Sequence, residues 1–185
     1  MGKILEKKNL SSGKWISLQE ITYEDDNGVI RTWEATERVN STGAVVIIPV
    51  LSDGRIILIR QFRPPMGKIV YEFPAGLINP GENPEETAVR ELKEETGYIG
   101  TVEYCSPSVC SSPGASAETL YLAKMKVDLA KQTDLSTHFD DSEHIETFLI
   151  HPNNITGFLS QANEEGYCID SKIYTVFLAS FFLKY

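Results

Sequence analysis

Three glutamates near the end of one predicted helix are the residues of this sequence whose types and spacing most clearly suggest chemistry. Glu91 and Glu95 are four residues apart, so in a helix their side chains lie on one face, with Glu94 beside them. Like charges at these spacings destabilise a helix, and carboxylates are further disfavoured at its negative C-terminal end. A solvated acidic face is the ordinary alternative for paired glutamates. This crowding instead predicts a bound cation.

Binding of a hard divalent ion is the chemistry that suits clustered carboxylates. Mg²⁺ and Mn²⁺ take oxygen ligands, keep several waters and accept further ligands from the phosphates of a substrate. The turn at Gly76, ahead of the helix, can bring backbone carbonyls into the same site. A metal at this place therefore predicts phosphate chemistry.

The helix that must position these glutamates has start and stop signals. Asn83 is the predicted N-cap, Pro84 the first helical residue and Glu86 the partner in a capping box. Gly97 supplies a left-handed C-terminal stop. The apolar stripe expected to face a sheet consists of Ala88, Leu92 and Thr96, with Val89 beside it.

The rest of the pattern predicts a mixed sheet with helices on its faces and an N-terminal antiparallel ribbon. Strands are predicted at residues 15–23, 29–39, 45–51, 55–62, 69–73, 99–109, 118–127 and 145–150, and helices at 153–163 and 170–183. The hairpin signal Asp-Asp-Asn-Gly at residues 25–28 joins the first two strands. We expect two parts, a ribbon at residues 1–40 and a main domain at residues 41–185.

Composition limits the kinds of partner that we expect the protein to bind and the cellular compartment in which we expect it. The chain has 185 residues, of which 42% are hydrophobic, and a net charge of -9, which opposes binding to nucleic acid or to an anionic membrane. Its three cysteines follow no zinc-ligand spacing, and an odd count fits a reduced compartment. The N-terminus lacks the apolar core of a signal peptide, and the late apolar run is too short to span a bilayer. The predicted location is the cytoplasm, with the nucleus also open.

The stretch from Gly76 to Tyr98 resembles the Nudix box, a motif of fixed spacing. Its positions are filled without a gap or substitution by Gly76, Glu82, Arg90, Glu91, Leu92, Glu94, Glu95, Gly97 and Tyr98. The resemblance implies an α/β (α+β) fold, the Nudix α/β/α sandwich around a mixed sheet. It also implies a hydrolase of nucleoside diphosphates linked to another group.

The resemblance assigns roles within this box. Glu91, Glu94 and Glu95 are the implied ligands of roughly two or three Mg²⁺ ions, with Mn²⁺ as a substitute. Ala75 is the implied source of a backbone carbonyl for a metal, and Arg90 is the implied holder of the carboxylates. For Glu82, metal ligation and loop anchoring both stay open.

The flanking segments resemble the ADP-ribose and ADP-sugar pyrophosphatase branch of the family. Pro113 lies sixteen residues beyond Gly97, and GKWISL, RTWEATER, QFRPPMGK and EFPAGL match segments of that branch. The implied reaction is hydrolysis of the pyrophosphate of ADP-ribose to AMP and ribose 5-phosphate. The alternatives are other ADP-sugars, an oxidised nucleotide such as 8-oxo-dGDP, and a catalytically silent nucleotide sensor.

Substrate contacts follow from the same resemblance. Trp15 and Trp33 are flat surfaces on which a base can stack, although core or dimer packing is the alternative for them. The resemblance implies that they sandwich adenine across a domain-swapped homodimer formed by the ribbon. The other implied contacts are Glu34 and Arg38 at the adenine edge, Arg63 at phosphate or ribose, and Leu77 and Pro113.

The general base is expected in residues 140–146, beyond the box. Glu143 is the favoured candidate because it precedes a predicted strand, whereas Glu146 would lie on the strand itself. His144 is expected to be a surface histidine.

Overall fold

The first of two sheets is a three-stranded antiparallel ribbon at the N-terminus. The computed structural model describes residues 1–39, 42–139 and 144–182. Strand β2 (Ile16–Glu24) lies between β1 (Lys3–Ser12) and β3 (Ile30–Arg38). Between β2 and β3, the predicted turn is closed by the Asp25 carboxylate, which accepts bonds from the amides of Asn27 and Val29. Strand β1 was not predicted, because its residues are exposed and carry no apolar pattern.

The second sheet is mixed and has nine strands among the described residues. Its strands are β4 (Ala44–Leu51), β5 (Ile56–Arg63), β6 (Lys68–Glu72), β7 (Ala75–Leu77), β8 (Thr101–Cys105), β9 (Val109–Cys110), β10 (Thr119–Val127), β11 (Glu146–Ile150) and β12 (Cys168–Ile169). Strands β4 and β10 pair in parallel, as do β6 and β12, whereas the other pairs are antiparallel. The predicted mixed sheet is confirmed.

Helices cover both faces of this sheet. Helix α1 (Pro84–Thr96) packs on one face, while α2 (Ile155–Glu164) and α3 (Ser171–Phe182) pack on the other. The alternation of β4 separates the two cores, since Val45 faces α1 and Val46 faces the other two helices. This arrangement is the expected α/β/α sandwich.

The buried side of α1 differs from the prediction at one residue. Ala88, Leu92 and Thr96 are buried as expected, but Val89 is 39% exposed and its predicted place against the sheet is wrong. Thr87 is buried in its stead. The helix is turned so that the flank carrying Glu95, rather than the flank carrying Val89, faces the protein.

A loop of the main domain ties the ribbon to the second sheet. The amide of Thr36 on β3 donates to Ala115 O at 2.9 Å, and Ala117 N donates back to Thr36 O at 3.0 Å. Trp33 Nε1 donates to Gly114 O at 3.0 Å. These bonds extend the ribbon by one short segment that leads directly into β10. Among the described helices, none is both long and apolar enough to cross a membrane.

Candidate active site

A cavity of about 680 Å³ opens where α1, β7 and the ends of several strands meet. The sequence-predicted residues that line it are Arg38, Arg63, Ala75, Leu77, Arg90, Glu91, Glu94 and Glu95. Residues that lie far apart in the chain thus line one cavity. The cavity is polar and carries both signs of charge, as a site for a charged ligand requires.

Arg90 is the centre of the carboxylate array. Its Nη1 donates to Glu91 Oε1 at 2.7 Å and to Glu94 Oε2 at 2.9 Å, and its Nε donates to Glu82 Oε1 at 2.8 Å. Its Nη2 donates to Glu82 Oε2 at 2.9 Å and to Leu77 O at 3.2 Å. The bonds from Arg90 lower the pKa of Glu82 from 4.5 to about 2. The same bonds raise the pKa of Arg90.

Gly76 makes room for Glu91. In β7, Gly76 pairs with Val45 of the central strand β4, so its backbone is fixed in the sheet. A Cβ atom at this position would lie 1.9 Å from Glu91 Cδ, well inside contact distance. The glycine therefore permits the close approach of the Glu91 carboxylate to the β7 backbone.

Glu95 is the buried member of the α1 glutamates, and Glu94 lies at the rim. Glu95 Oε2 accepts a hydrogen bond from the amide of Ala75 at 3.1 Å. That bond holds the helix against β7 close to Gly76. The two glutamates one turn apart, Glu91 and Glu95, both reach the same short strand.

The possible metal ligands at this site are carboxylate oxygens beside backbone carbonyl oxygens, which are the ligand atoms that a hard divalent ion prefers. Within residues 1–39, 42–139 and 144–182, no three His, Cys, Asp or Glu side chains have the spacing of a formed metal site. Arg90 bonds Glu91 and Glu94, whereas Glu95 bonds the amide of Ala75. Each carboxylate keeps further lone pairs, so a metal can bind while Arg90 stays in place.

The two arginines that were predicted as substrate contacts, Arg63 and Arg38, form ion pairs with carboxylates that were not predicted from the sequence. Arg63 forms a bidentate pair with Glu72, with Nε–Oε1 at 2.8 Å and Nη2–Oε2 at 3.0 Å. Arg38 pairs with Glu118. A carboxylate directly after the apolar residues Ile69, Val70 and Tyr71 of KIVYE was an available signal for Glu72. Glu118 had no comparable signal, and neither did His138 and Lys172, two further lining residues that were not predicted.

Several predicted substrate residues lie outside this cavity. Trp33 and Pro113 line a separate cleft of about 320 Å³, together with Ile21 and Tyr23 of the ribbon. Trp15 is 64% exposed, and the Nζ atom of Lys14 lies 4.4 Å from its ring centroid.

Glu34 and Glu82 also do not line the cavity. The predicted general base is not among the residues that the structure describes. Glu34 is exposed on β3, opposite Glu20 of β2. Glu82 lies in the loop before α1, bonded to Arg90. Glu143 lies outside the described residues. Glu146 is the first residue of β11, as the sequence interpretation expected of it.

Comparison with known proteins identifies the family. The family model for the NUDIX domain matches residues 41–167, more than half of the chain. The chain belongs to the Nudix family. The family prediction and the fold prediction are both confirmed, and the chain is a Nudix hydrolase.

Similar Nudix proteins cover nearly the whole of this chain. It is 38% identical to the ADP-sugar pyrophosphatase of Mus musculus, over 95% of this chain and 86% of that protein. It is 37% identical to the ADP-ribose pyrophosphatase of Saccharomyces cerevisiae, over 94% of this chain and 81% of that protein. The crystal structure of an ADP compounds hydrolase has a TM-score of 0.67 at 24% identity and covers 84% of this chain and 83% of its own, which shows the shared fold.

Proposed function

We propose that this Nudix hydrolase cleaves the pyrophosphate bond of ADP-ribose and related ADP-sugars, releasing AMP and a sugar phosphate. The observation that carries the proposal is the carboxylate array around Arg90, which faces a cavity also lined by Arg38 and Arg63. Relatives named for ADP-ribose and ADP-sugar cleavage at 37% and 38% identity support the substrate class.

The proposed metal ligands are the carboxylates of Glu91, Glu94 and Glu95 and the carbonyl of Ala75. Bound Mg²⁺ supplies charge neutralisation at the phosphates and a lower pKa for the attacking water, with roughly two or three ions expected and Mn²⁺ able to substitute. Arg90 keeps Glu91 and Glu94 in position.

Positioning of the substrate falls to the other residues of the proposed site. Arg63 and Arg38 orient phosphate, ribose and base through charged hydrogen bonds. Leu77 lines the cavity beside them. Glu143 stays the proposed general base, with proton removal from the attacking water as its role.

Glu82 is better explained as a loop anchor than as a metal ligand. Its Oε2 accepts bonds from the amide of Asn79 at 3.2 Å and from Thr87 Oγ1 at 2.9 Å, and both oxygens accept from Arg90. A metal at Glu82 would have to displace this network. We assign Glu82 to holding the loop before α1 and to orienting Arg90.

Adenine binding is proposed to require a homodimer. Trp15 and Trp33 are each more than half exposed and lie outside the cavity of their own chain. The ribbon also exposes other large apolar side chains, which are Ile4, Leu5, Leu10, Ile16, Val29 and Ile30. Burying this surface in a second copy would bring a tryptophan of each subunit to one adenine, with Glu34, Arg38 and Pro113 near it. The proposed division is therefore a ribbon at residues 1–40 for dimerisation and adenine binding, followed by the hydrolase domain at 41–185.

The proposed location is the cytoplasm, with the nucleus also accessible. All three cysteines, Cys105, Cys110 and Cys168, are free thiols, as a reducing compartment allows. The net charge of -9 supports the expectation that neither nucleic acid nor a membrane surface is a partner.

The test is incubation of the protein with ADP-ribose, other ADP-sugars and 8-oxo-dGDP, with and without Mg²⁺, followed by identification of the products. We expect Mg²⁺-dependent release of AMP from ADP-ribose.

Glu91→Gln should lower kcat at least about 100-fold, because it removes a charge needed in the transition state. Glu85→Gln, an exposed glutamate at the other end of α1, is the matched control and should keep its activity. Absence of AMP release from every ADP-sugar would reject the proposal, and faster cleavage of 8-oxo-dGDP would favour the oxidised-nucleotide alternative.

A further inference from the structure

One end of the cavity carries two neighbouring ion pairs. The pairing of the strands gives the order of residues along the cavity. Ala44 of β4 lies between Leu120 of β10 and Leu77 of β7. This is the end of the cavity that holds Arg38 and Glu118. Two residues further along β4, Val46 pairs with Ala75 of β7. At the next residue of β4, the amide of Ile47 donates a hydrogen bond to the carbonyl of Pro74. The chain before Pro74 leads to Glu72, the partner of Arg63. The end remote from Arg38 is therefore the one that holds Arg63 and Lys172.

Lys172 is fixed to this wall through Asp170. The amide of Asp170 donates to Tyr71 O at 2.9 Å, which ties the start of α3 to the end of β6, next to Glu72. Asp170 Oδ1 accepts from the backbone amide of Lys172 at 2.7 Å, and Oδ2 accepts from its Nζ at 2.6 Å. The Lys172 side chain is 36% exposed and lines the cavity. Its ammonium is thus held at the cavity surface within reach of a ligand.

Helix stability does not account for a lysine at this position. Lys172 is in the first turn of α3, where the positive end of the helix dipole disfavours a cation. The helix start is already satisfied by Asp170 Oδ1, whose bond is to the Lys172 backbone and needs no lysine side chain. The ammonium has three donors, and Asp170 Oδ2 takes one of them in the described part of the chain. The remaining donors are available for an anionic ligand.

We propose that Lys172 binds the phosphate on the far side of the scissile bond, the one that leaves with the sugar. This inference rests on the proposed function, which puts adenine near Arg38, so that the sugar phosphate lies towards the opposite end of the cavity, where Lys172 is. An ammonium is a point charge on a flexible stem, so it recognises the phosphate rather than the shape of the sugar. Lys172 then gives the enzyme a sugar-phosphate subsite that accepts ADP-sugars with different sugars.

The test measures binding of each product separately, by NMR titration of AMP and of ribose 5-phosphate into the Mg²⁺-loaded protein. In Lys172→Met we expect the Kd of ribose 5-phosphate to rise at least about tenfold and the Kd of AMP to change less than about twofold. The KM of ADP-ribose should rise with little change in kcat, because the contact is made in the ground state and the transition state alike. Lys172→Arg should retain most of the affinity. Lys124→Met, which removes a lysine paired with Glu103 outside the cavity, is the matched control and should bind both products normally.

Each of the other possible outcomes contradicts either the role of Lys172 or the proposed function. Binding of AMP without binding of ribose 5-phosphate by the wild-type protein, or an unchanged Kd in Lys172→Met, overturns the role of Lys172. Equal weakening of both products together with a lower Tm would show a structural role and would also overturn it. Normal binding of both products without hydrolysis of ADP-ribose would instead reject the proposed function while leaving the phosphate subsite supported.

Discussion

At the scale of the residue, Arg90 explains how a helix tolerates carboxylates at its negative end. An isolated surface ion pair contributes little to stability. Arg90 instead joins Glu82 in the preceding loop to Glu91 and Glu94 on the helix, and each of these contacts is 2.9 Å or shorter. The guanidinium offsets their mutual repulsion and fixes their orientation. Glu91 and Glu94 are thus held in fixed positions on the cavity wall.

The pH dependence of stability tests this network at Glu82. Its folded pKa is lowered to about 2, so its contribution to stability is present above about pH 4.5 and is lost as the pH falls towards 2. Urea unfolding of the wild-type protein and Glu82→Gln should therefore show a difference in the free energy of unfolding that is largest near pH 6. This difference should shrink between pH 4.5 and 2. A constant difference across that range would contradict the pKa shift.

Gly76→Ala tests the room made for Glu91. The added Cβ would lie 1.9 Å from Glu91 Cδ, so the carboxylate must move away from β7. We expect kcat to fall at least about 100-fold, since a displacement of about 1 Å at a catalytic group costs this much. Stability should change little, because the clash is with the end of a flexible side chain. Gly157→Ala in α2, where the added Cβ meets no atom within 4 Å, is the control, and its activity should be unchanged. Full activity of Gly76→Ala would show that this close approach is not needed.

At the scale of the element, α1 is held at both ends. Asn83 and Glu86 form the predicted capping box, and Gly97 has the predicted left-handed conformation, with φ 76°. A segment ahead of the undescribed residues 140–143 runs past the C-terminal end of the helix. There Lys93 Nζ donates to Asp134 O at 2.7 Å, and His138 N donates to Glu94 O at 2.9 Å. Local capping signals and one long-range segment together set the position of the glutamates.

Gly97→Ala tests how closely this segment approaches the helix end. Alanine at positive φ is strained by roughly 1 to 3 kcal/mol, and here its Cβ would also lie 2.3 Å from Leu135 O. This contact with backbone adds an overpacking cost of roughly 1 to 3 kcal/mol. Gly54→Ala is the matched control, because Gly54 also has positive φ but its Cβ would meet no atom within 4 Å. Urea unfolding should show the larger loss for Gly97→Ala, and equal losses would contradict the close packing.

At the scale of the whole molecule, the ribbon is joined to the second sheet beside the Arg38 end of the cavity. The loop that bonds Thr36 also carries Gly114, the acceptor of the Trp33 indole, and it ends at Glu118, the partner of Arg38. A movement of the ribbon would therefore be transmitted to one end of the cavity. This connection is consistent with a proposed adenine site that needs the ribbon of a second subunit.

Light scattering tests the proposed dimer. We expect the wild-type protein to have twice the chain mass of 20.7 kDa. Ile30→Glu, at a residue of the ribbon that is 57% exposed, should shift the protein to monomer and raise the KM of ADP-ribose, because an unpaired charge is costly in an apolar interface. Ile99→Glu, at a similarly exposed residue outside the ribbon, should remain dimeric. A wild-type monomer would remove both the dimer and the two-subunit adenine clamp.

The sequence predicted those features that depend on neighbours along the chain. The limits of α1, the stripe of Ala88, Leu92 and Thr96 and the hairpin at residues 25–28 follow from helix and turn geometry acting over a few residues. Strands β7 and β12 were missed, because pieces of three and two residues have no readable periodicity and form only by pairing with longer strands.

By itself, the sequence determined the spacing of the glutamates on α1, which helix geometry fixes, and the resemblance of its box indicated the Nudix family and its sandwich fold. Only the tertiary structure decided which residues face the cavity. It brought Glu118, His138 and Lys172 into the lining of one cavity with Glu91, and it put Trp33 in a separate cleft. Contacts between residues so far apart depend on how strands pair and helices pack, and no short stretch of the chain specifies that packing.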